Sequence, residues 1–428
     1  MLVTEAEHSL RPIGQAIVDQ IAEIHEKHAH ATASGYFKHP FGLRITRQGC
    51  QFEGNIQPPS KYSTYDNKPE YSREEKAAFE TRLKSWYDHA AISGYGDVRA
   101  QVTKLNTDVR NAREIPASEF SVEPELLHEI AQVWDRNFYP NTGIRVEPYK
   151  IHLYGPGGHF DLHRDTPQKD LVGTFLLGLG DTTYGGGLYV GGMERPAHGG
   201  YWCAFYPDVP HRVARVSGGY RAVIAFKLFR TSDTFEETAT SSQVGSEVAS
   251  LVRQMKAPFG IMLERKYCLG TTTFSGFDAL MLDTCRSLPK VDVKHLPVIL
   301  VSHSEWGTHD EYEEGYEMEC STSIYPFTRG HIDALVDGSS FKAGLGHYYD
   351  YRGPTDHTSC GCPWLEGVKN VPFFAFDLSR SLVSYSEEER ETCNYTGNEA
   401  QAWRDDSVYL SYALLVLPKD REVPSTEA

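Results

Sequence analysis

From residue 149 to residue 229 the chain is a succession of short segments, most of them apolar or alternating, each closed by glycine, proline or a polar turn. The segments are Tyr149–Tyr154, His159–Asp165, Leu171–Leu179, Gly187–Val190, Tyr201–Tyr206, Arg212–Val216 and Arg221–Phe229. Between them stand Gly155-Pro156-Gly157-Gly158, Gly185-Gly186-Gly187, Gly191-Gly192, Gly199-Gly200, Pro207 to Pro210 and Gly218-Gly219. Short strands at regular spacing with glycine turns predict a double-sheet jelly roll or barrel. The 25 Tyr and 20 Phe suit that architecture, because aromatic rings pack well on pleated surfaces.

The flanks read differently. Ile13, Ile17, Ile21 and Ile24 recur at helical spacing, which predicts a helix over 13–28. Residues 57–75, rich in Pro, Ser, Lys, Tyr and Asp, read as a surface loop in preference to a flap over a site. A helix is expected over 121–138, with Ser121 as N-cap, Glu123, Pro124 and Glu125 in the first turn, and a stripe of Leu126, Leu127, Ile130, Val133 and Trp134. From 233 to 256 the chain turns polar and helix-like. Beyond it, 297–301, 373–376 and 408–417 read as strands and 277–288 as a helix. The expected class is mainly β with flanking helices (α+β), in three parts: an N-terminal helical and loop region (1–115), a β core (116–232) and a mixed α/β region (233–428).

Composition narrows the function. A formal net charge of −16 repels phosphate backbones, so a nucleic-acid partner is disfavoured. The field of the whole chain favours a neutral or cationic substrate, unless pocket charge overrides it. The eight cysteines contain no CxxC pair and read as free thiols in a reducing compartment. Acidic and basic residues interrupt the first 30 positions, so no secretory signal is expected, and no segment is apolar enough to span a membrane. The expectation is a cytoplasmic protein without a membrane partner.

Three features inside the strand-rich region carry chemistry. His163-Arg164-Asp165 is followed by Thr166-Pro167; His211 stands in Pro210-His211-Arg212-Val213; Arg221 follows that histidine by ten residues. Positions i and i+2 of a strand share a face, so His163 and Asp165 point at one ion, and a strand end near Pro167 opens them to substrate. A second imidazole from a distant strand completes a two-histidine, one-carboxylate facial triad, the arrangement of non-haem Fe(II) oxygenases. A 2-oxo acid chelated to such an iron needs a cation for its far carboxylate, and the planar fork of Arg221 suits it. Tyr154 is a candidate to add a hydroxyl there, with Thr174 as the weaker one.

An HxD pair alone is a weak signal, and the chain holds three: His159-Phe160-Asp161, His163-Arg164-Asp165 and His331-Ile332-Asp333. The last opens a helix-like stretch, which would make its side chains diverge. The first two share a strand parity, and the pair at 163/165 is preferred because it lies at the strand end. His159 and Asp161 then fall one step along the same face, as candidate substrate contacts. Arg164 reads as a surface charge, and His152 and His198 as satisfied structural histidines. Tyr351, Trp364, Phe373 and Phe374 read as core.

The segment from about 121 to 230 resembles the prolyl-4-hydroxylase-type branch of the 2-oxoglutarate/Fe(II)-dependent dioxygenase superfamily. The residues that carry this are Tyr149 to Tyr154, His159 to Pro167, Gly186-Gly187-Leu188-Tyr189-Val190, Trp202 to Tyr206, Pro210 to Val213 and Gly218 to Arg221. The likeness is greatest to functionally undefined fungal and protist members. Those carry a C-terminal region similar to Phe259–Tyr267, His331 to Leu335, Tyr395 to Glu399 and Tyr409–Pro418, which extends the resemblance to about residue 420.

The resemblance implies a double-stranded β-helix, Fe(II) held by His163, Asp165 and His211, and 2-oxoglutarate anchored by Arg221. Dioxygen would be co-substrate and ascorbate a supporting reductant. Halogenases of the superfamily leave the carboxylate position empty; Asp165 fills it, which favours hydroxylation, with desaturation, cyclisation or epoxidation as variants. A small-molecule substrate, as in natural-product biosynthesis, is preferred over a peptidyl or free amino acid. The rival readings are a 2-oxoglutarate-independent cupin-like metal protein and a non-catalytic module. A homodimer is compatible with all three.

Overall fold

The computed structural model describes residues 5–306 apart from 57, 60, 62–69, 98–101, 140–142, 167, 232–238, 269, 270 and 272, together with 318–326, 371–375 and 409–419. The chain divides into two compact units, one built on His30–Glu236 and the other on Met1–Ala29 with Glu237–Thr396 and Ala400–Ala428. The three-part division expected at 115 and 232 is corrected at its first boundary. Strands between 32 and 116 complete the β core, because the edges of its sheets otherwise present unpaired backbone groups.

Twelve strands form the two main sheets of the first unit: β1 Thr32–Tyr36, β2 Ala91–Ile92, β3 Arg110–Asn111, β4 Arg113–Pro116, β5 Ile144–Tyr154, β6 His159–His163, β7 Leu171–Asp181, β8 Gly187–Val190, β9 Met193–Arg195, β10 Tyr201–Phe205, β11 His211–Ala214 and β12 Arg221–Arg230. The larger sheet runs β1-β10-β7-β12-β5-β4-β2 and the smaller β9-β8-β11-β6-β3. All neighbours are antiparallel. From β5 to β12 the chain passes back and forth between the sheets, which is the winding of a jelly roll. The seven segments of the sequence are β5, β6, β7, β8, β10, β11 and β12 to within a few residues, apart from the longer N-terminal extension of β5; the short β9 was not expected.

Period two decides what each strand buries. On β7, Phe175 is wholly buried and packs against Phe37 and Trp202, with ring centroids at 6.0 and 5.6 Å, while Thr174 and Leu176 face the space between the sheets. Gly173 is required by a close approach: a Cβ there would lie 2.1 Å from the Trp134 ring of the helix Pro124–Asn137. Gly219, at φ +76°, turns the chain from β11 into β12, where a Cβ would meet the Thr182 carbonyl oxygen at 2.1 Å.

Three α-helices precede β5 in the chain: α1 Glu5–His28, α2 Arg73–His89 and α3 Pro124–Asn137. Helix α3 buries Leu126, Ile130, Val133 and Trp134, as its stripe predicts, but starts later than expected. Ser121 is not its N-cap: it pairs with Arg44 in a small sheet of Phe41–Ile45, Phe52–Ile56 and Phe120–Val122. Helix α2 is absent from the sequence reading, because its surface is charged and only Leu83 and Trp86 are buried. Its legible signal is Ser72-x-x-Glu75, a reciprocal capping box. Of the 57–75 loop, 62–69 lie outside the described residues.

The second unit holds α1, α4 Ala239–Val252 and α5 Gly276–Arg286 with a five-stranded sheet. Its strands are β13 Phe259–Cys268, β14 Val291–Trp306, β15 Met318–Pro326, β16 Phe373–Phe374 and β17 Tyr409–Pro418, in the order β15-β14-β17-β13-β16. The strands and helices expected after 233 are therefore present. His331, Asp333, Tyr351 and Trp364 lie outside the described residues, and Phe374 is core.

A buried polar cluster ties α1 and α5 to β13. His25 meets Glu264 at 2.8 Å, Arg265 pairs with the same carboxylate, and Asp278 accepts from the backbone N–H groups of Glu264 and Arg265 and from the Tyr267 hydroxyl. Burial, with Glu264 adding to it, pushes the Asp278 carboxyl up to about 7. Phe175→Ala should cost about 3–5 kcal/mol by the lost burial and the cavity left behind, measured by urea denaturation.

Candidate metal centre

The space between the two sheets is a cavity of about 100 Å³, enough to hold several waters. Its wall takes side chains from the facing strands β5, β7 and β12 on one side and β6, β8 and β11 on the other.

His163 and His211 are direct cross-strand partners on β6 and β11, so a pair distant in sequence stands with ring centroids 4.1 Å apart. Each ring is clamped in the same way. His163 Nδ1 lies 2.7 Å from the Asp161 carbonyl oxygen, and His211 Nδ1 lies 2.9 Å from that of Val209. A carbonyl only accepts, so both Nδ1 atoms carry the proton and both Nε2 atoms present lone pairs. Burial, then the neighbouring His211, holds the His163 pKa well below its ordinary 6.5, which keeps the ring neutral as a ligand must be.

Asp165 lies just beyond the end of β6, its backbone N–H bonded to the Pro207 carbonyl. One of its oxygens is 3.9 Å from His211 Nε2, and the other accepts from the Thr174 hydroxyl at 2.5 Å. Neighbouring donors on one octahedral ion, each about 2.1 Å from it, stand about 3 Å apart, so the His211 and Asp165 atoms are near each other but wider than a closed site. Among the described residues no three such side chains already close a cage; the Thr174 bond sets where the carboxylate rests. Thr174 therefore holds Asp165, which corrects its expected part in binding the far carboxylate of a 2-oxo acid.

Arg221 is 2% exposed. Its Cα pairs with Tyr154 on β5 and Asp181 on β7, and its Nη2 donates to the Arg195 carbonyl at 3.2 Å. Asp181 is turned away, accepting from Thr183 and from the Ala197 N–H. No carboxylate among the described residues forms an ion pair with Arg221, and both Arg221 and Tyr154 line the cavity. A buried guanidinium without an acid is costly until an anion completes it.

A bulge separates the two HxD pairs. Phe160 pairs with Val213 and His163 with His211, a span of four residues on one strand against three on the other. The extra residue switches parity, so Phe160 and His163 both reach the cavity while Asp161 and Leu162 are exposed. His159 is held by the carbonyls of Gly157 and Asp108. Neither His159 nor Asp161 lines the cavity, which corrects their expected contact with substrate.

Other readings also change. Arg164 is not a surface charge: it is buried and donates Nε–H to the Asp208 carbonyl at 2.8 Å. His198 is not satisfied, since its buried Nδ1 has no hydrogen-bond partner. His152 lies on the cavity wall, its Nδ1 3.0 Å from Arg110 Nη2. Arg110, Lys227 and Tyr149 also line the cavity and were missed by sequence reasoning. The only local signal is strand parity, which puts Lys227 on the face of Arg221.

No protein-family model matches the chain, and no curated protein matches it in sequence. Solved structures do resemble it. A prolyl-4-hydroxylase from Pseudomonas putida is 12% identical over 50% of this chain and 100% of its own, with a TM-score of 0.28. A prolyl hydroxylase from Trichoplax adhaerens, in complex with a hypoxia inducible factor peptide, is 12% identical over 51% of this chain and 91% of its own, at 0.27. A non-haem α-ketoglutarate-dependent carbocyclase from nogalamycin biosynthesis is 12% identical over 53% and 89%, at 0.28. At these identities and TM-scores nothing about cofactor, substrate or reaction follows for this chain.

Because folding holds the His163 and His152 imidazoles neutral, below pH 6.5 the unfolded chain takes up protons that the folded chain refuses. The unfolding free energy should fall as pH drops from about 7 to about 5, by at most about 1.4 kcal/mol per pH unit for each ring. In His163→Gln the slope should be shallower; an equal slope would show that His163 is not held neutral.

Proposed function

We propose that this chain is an Fe(II)- and 2-oxoglutarate-dependent oxygenase that oxidises a small molecule. The observation that carries the reading is one cavity holding two clamped imidazoles, a carboxylate beside them and a buried guanidinium without an acid. Two imidazoles and one carboxylate leave coordination positions open for a chelating co-substrate and dioxygen, the donor set of non-haem iron oxygenases. Bound iron and 2-oxoglutarate supply the oxidising power, with the oxo acid converted to succinate and CO2.

The chain's own part is to bind, orient and keep water out. His163, Asp165 and His211 hold the ion. The backbone carbonyls of Asp161 and Val209 fix the two rings, and Thr174 fixes the carboxylate. Arg221, with the Tyr154 hydroxyl near it, receives the far carboxylate of the oxo acid; the bidentate fork gives that acid a defined orientation. Phe160, Leu188, Val213 and Val223 add apolar surface to the wall, which limits water around the reacting atoms. Hydroxylation is the outcome favoured, because Asp165 occupies the position a halide would need.

His163→Ala should abolish succinate formation from 2-oxoglutarate. Arg221→Leu should raise the KM for 2-oxoglutarate about 100-fold, the loss of a charge-assisted bidentate contact of roughly 3 kcal/mol. Succinate formation that survives His163→Ala would overturn the iron site. An unchanged KM in Arg221→Leu would shift the reading to a metal protein that does not use 2-oxoglutarate.

A further inference from the structure

The charge of the cavity opposes the charge of the chain. The sequence carries −16, yet the cavity wall sets Arg110, Arg221 and Lys227 against one carboxylate, Asp165. The proposed function, on which this inference rests, assigns Asp165 to the ion and Arg221 to the oxo acid. A divalent ion and a dicarboxylate cancel each other's charge, so loading the site leaves the cavity cationic. Arg110 and Lys227 have no part in that loading.

Both differ from cations that are structurally satisfied. Lys150, on the same strand as His152, meets Glu114 at 3.0 Å, and Arg47 meets Glu119 at 2.6 Å. Arg110 has no such acid among the described residues, although it is 7% exposed. Its Nη1 donates to the Gly94 carbonyl, its Nη2 to His152 Nδ1, and its Nε–H has no hydrogen-bond partner. The guanidinium lies over the Phe160 ring at 4.4 Å from the centroid, next to the ring that stacks on His163. Arg110 can only donate, so the His152 proton sits on Nε2 as a further donor at the same wall.

Lys227 comes from the larger sheet. Its ammonium lies 4.2 Å from the centre of the Tyr149 ring, and no carboxylate among the described residues is within ion-pair distance. Burial lowers its pKa, and Asp165 offsets this only in part. Two desolvated cations without acids on one small cavity wall are stabilised by an anion that enters from outside.

We propose that the molecule oxidised here is a small acid, and that Arg110, with Lys227 on the facing sheet, receives its carboxylate. The whole-chain charge favours the opposite class; the wall overrides it because a buried charge is screened far less than a surface field. A carboxylate held on this wall, beside Phe160 and His163, brings the carbon skeleton toward the ion and sets which carbon faces it.

The test uses the full chain loaded with Mn(II) and saturating 2-oxoglutarate, so that Arg221 is occupied. Calorimetric titration compares phenylacetate with its neutral partner phenylacetamide. The acid should bind at least about tenfold more tightly. That preference should fall to about twofold in Arg110→Gln and narrow in Lys227→Met, with thermal midpoints showing that each variant is folded. Equal affinity for acid and amide, binding of neither, or a preference that survives both substitutions would overturn the proposal. Uptake of 2-oxoglutarate is read in its own titration. If that uptake fails while the acid preference and its loss in Arg110→Gln hold, the iron reading falls and the acid site stands.

Discussion

The site depends on one cross-strand pair. His163 and His211 come together because β6 and β11 are neighbours in the smaller sheet and because a bulge shifts their register to put the two rings opposite each other. Each ring is then fixed by the carbonyl two residues before it in the chain. An imidazole on a strand has a free χ2; a carbonyl at hydrogen-bond distance removes that freedom and chooses the tautomer. The remaining parts of the site are arranged around this pair, with Asp165 held by Thr174 from the opposite sheet.

The larger sheet supplies the electrostatics. Strand β12 carries both Arg221 and Lys227 on its cavity face, separated by Val223 and Ala225. Its backbone is paired on both sides, which makes it a rigid platform for charges that have no acid beside them. A mobile loop would turn such groups to water; a central strand keeps them where a ligand must compensate them. The same principle runs oppositely in the second unit, where His25 and Arg265 surround Glu264. Burial alone would raise that carboxyl, but the Arg265 guanidinium and the His25 hydrogen bond outweigh it and hold it at about 2.

Much of this was legible in the residues. Period-two segments and glycine turns are local signals, so β5 to β8, β10 to β12 and the stripe of helix α3 could be read directly. The roles proposed for His163, Asp165, His211 and Arg221 could be framed from the sequence because their types and order match what iron and an oxo acid would require. The preference for 163/165 over 159/161 rested on a shared parity. The bulge between Phe160 and His163 breaks that parity, and no local pattern announces it. Thr174 was placed on the correct wall with the wrong partner, since its nearness to Asp165 is a contact between sheets.

By itself the sequence determined which segments are strands and which side chains can bind a metal and an acid, because backbone periodicity and ligand chemistry are properties of short stretches. Only the tertiary structure decided that β1 to β4 complete the two sheets, that α1 groups with the C-terminal part, and that Arg110, His152 and Lys227 share one cavity. Sheet-edge pairing and cavity charge are sums over residues far apart in the chain. An arginine whose acid is missing looks, in sequence, like any other arginine.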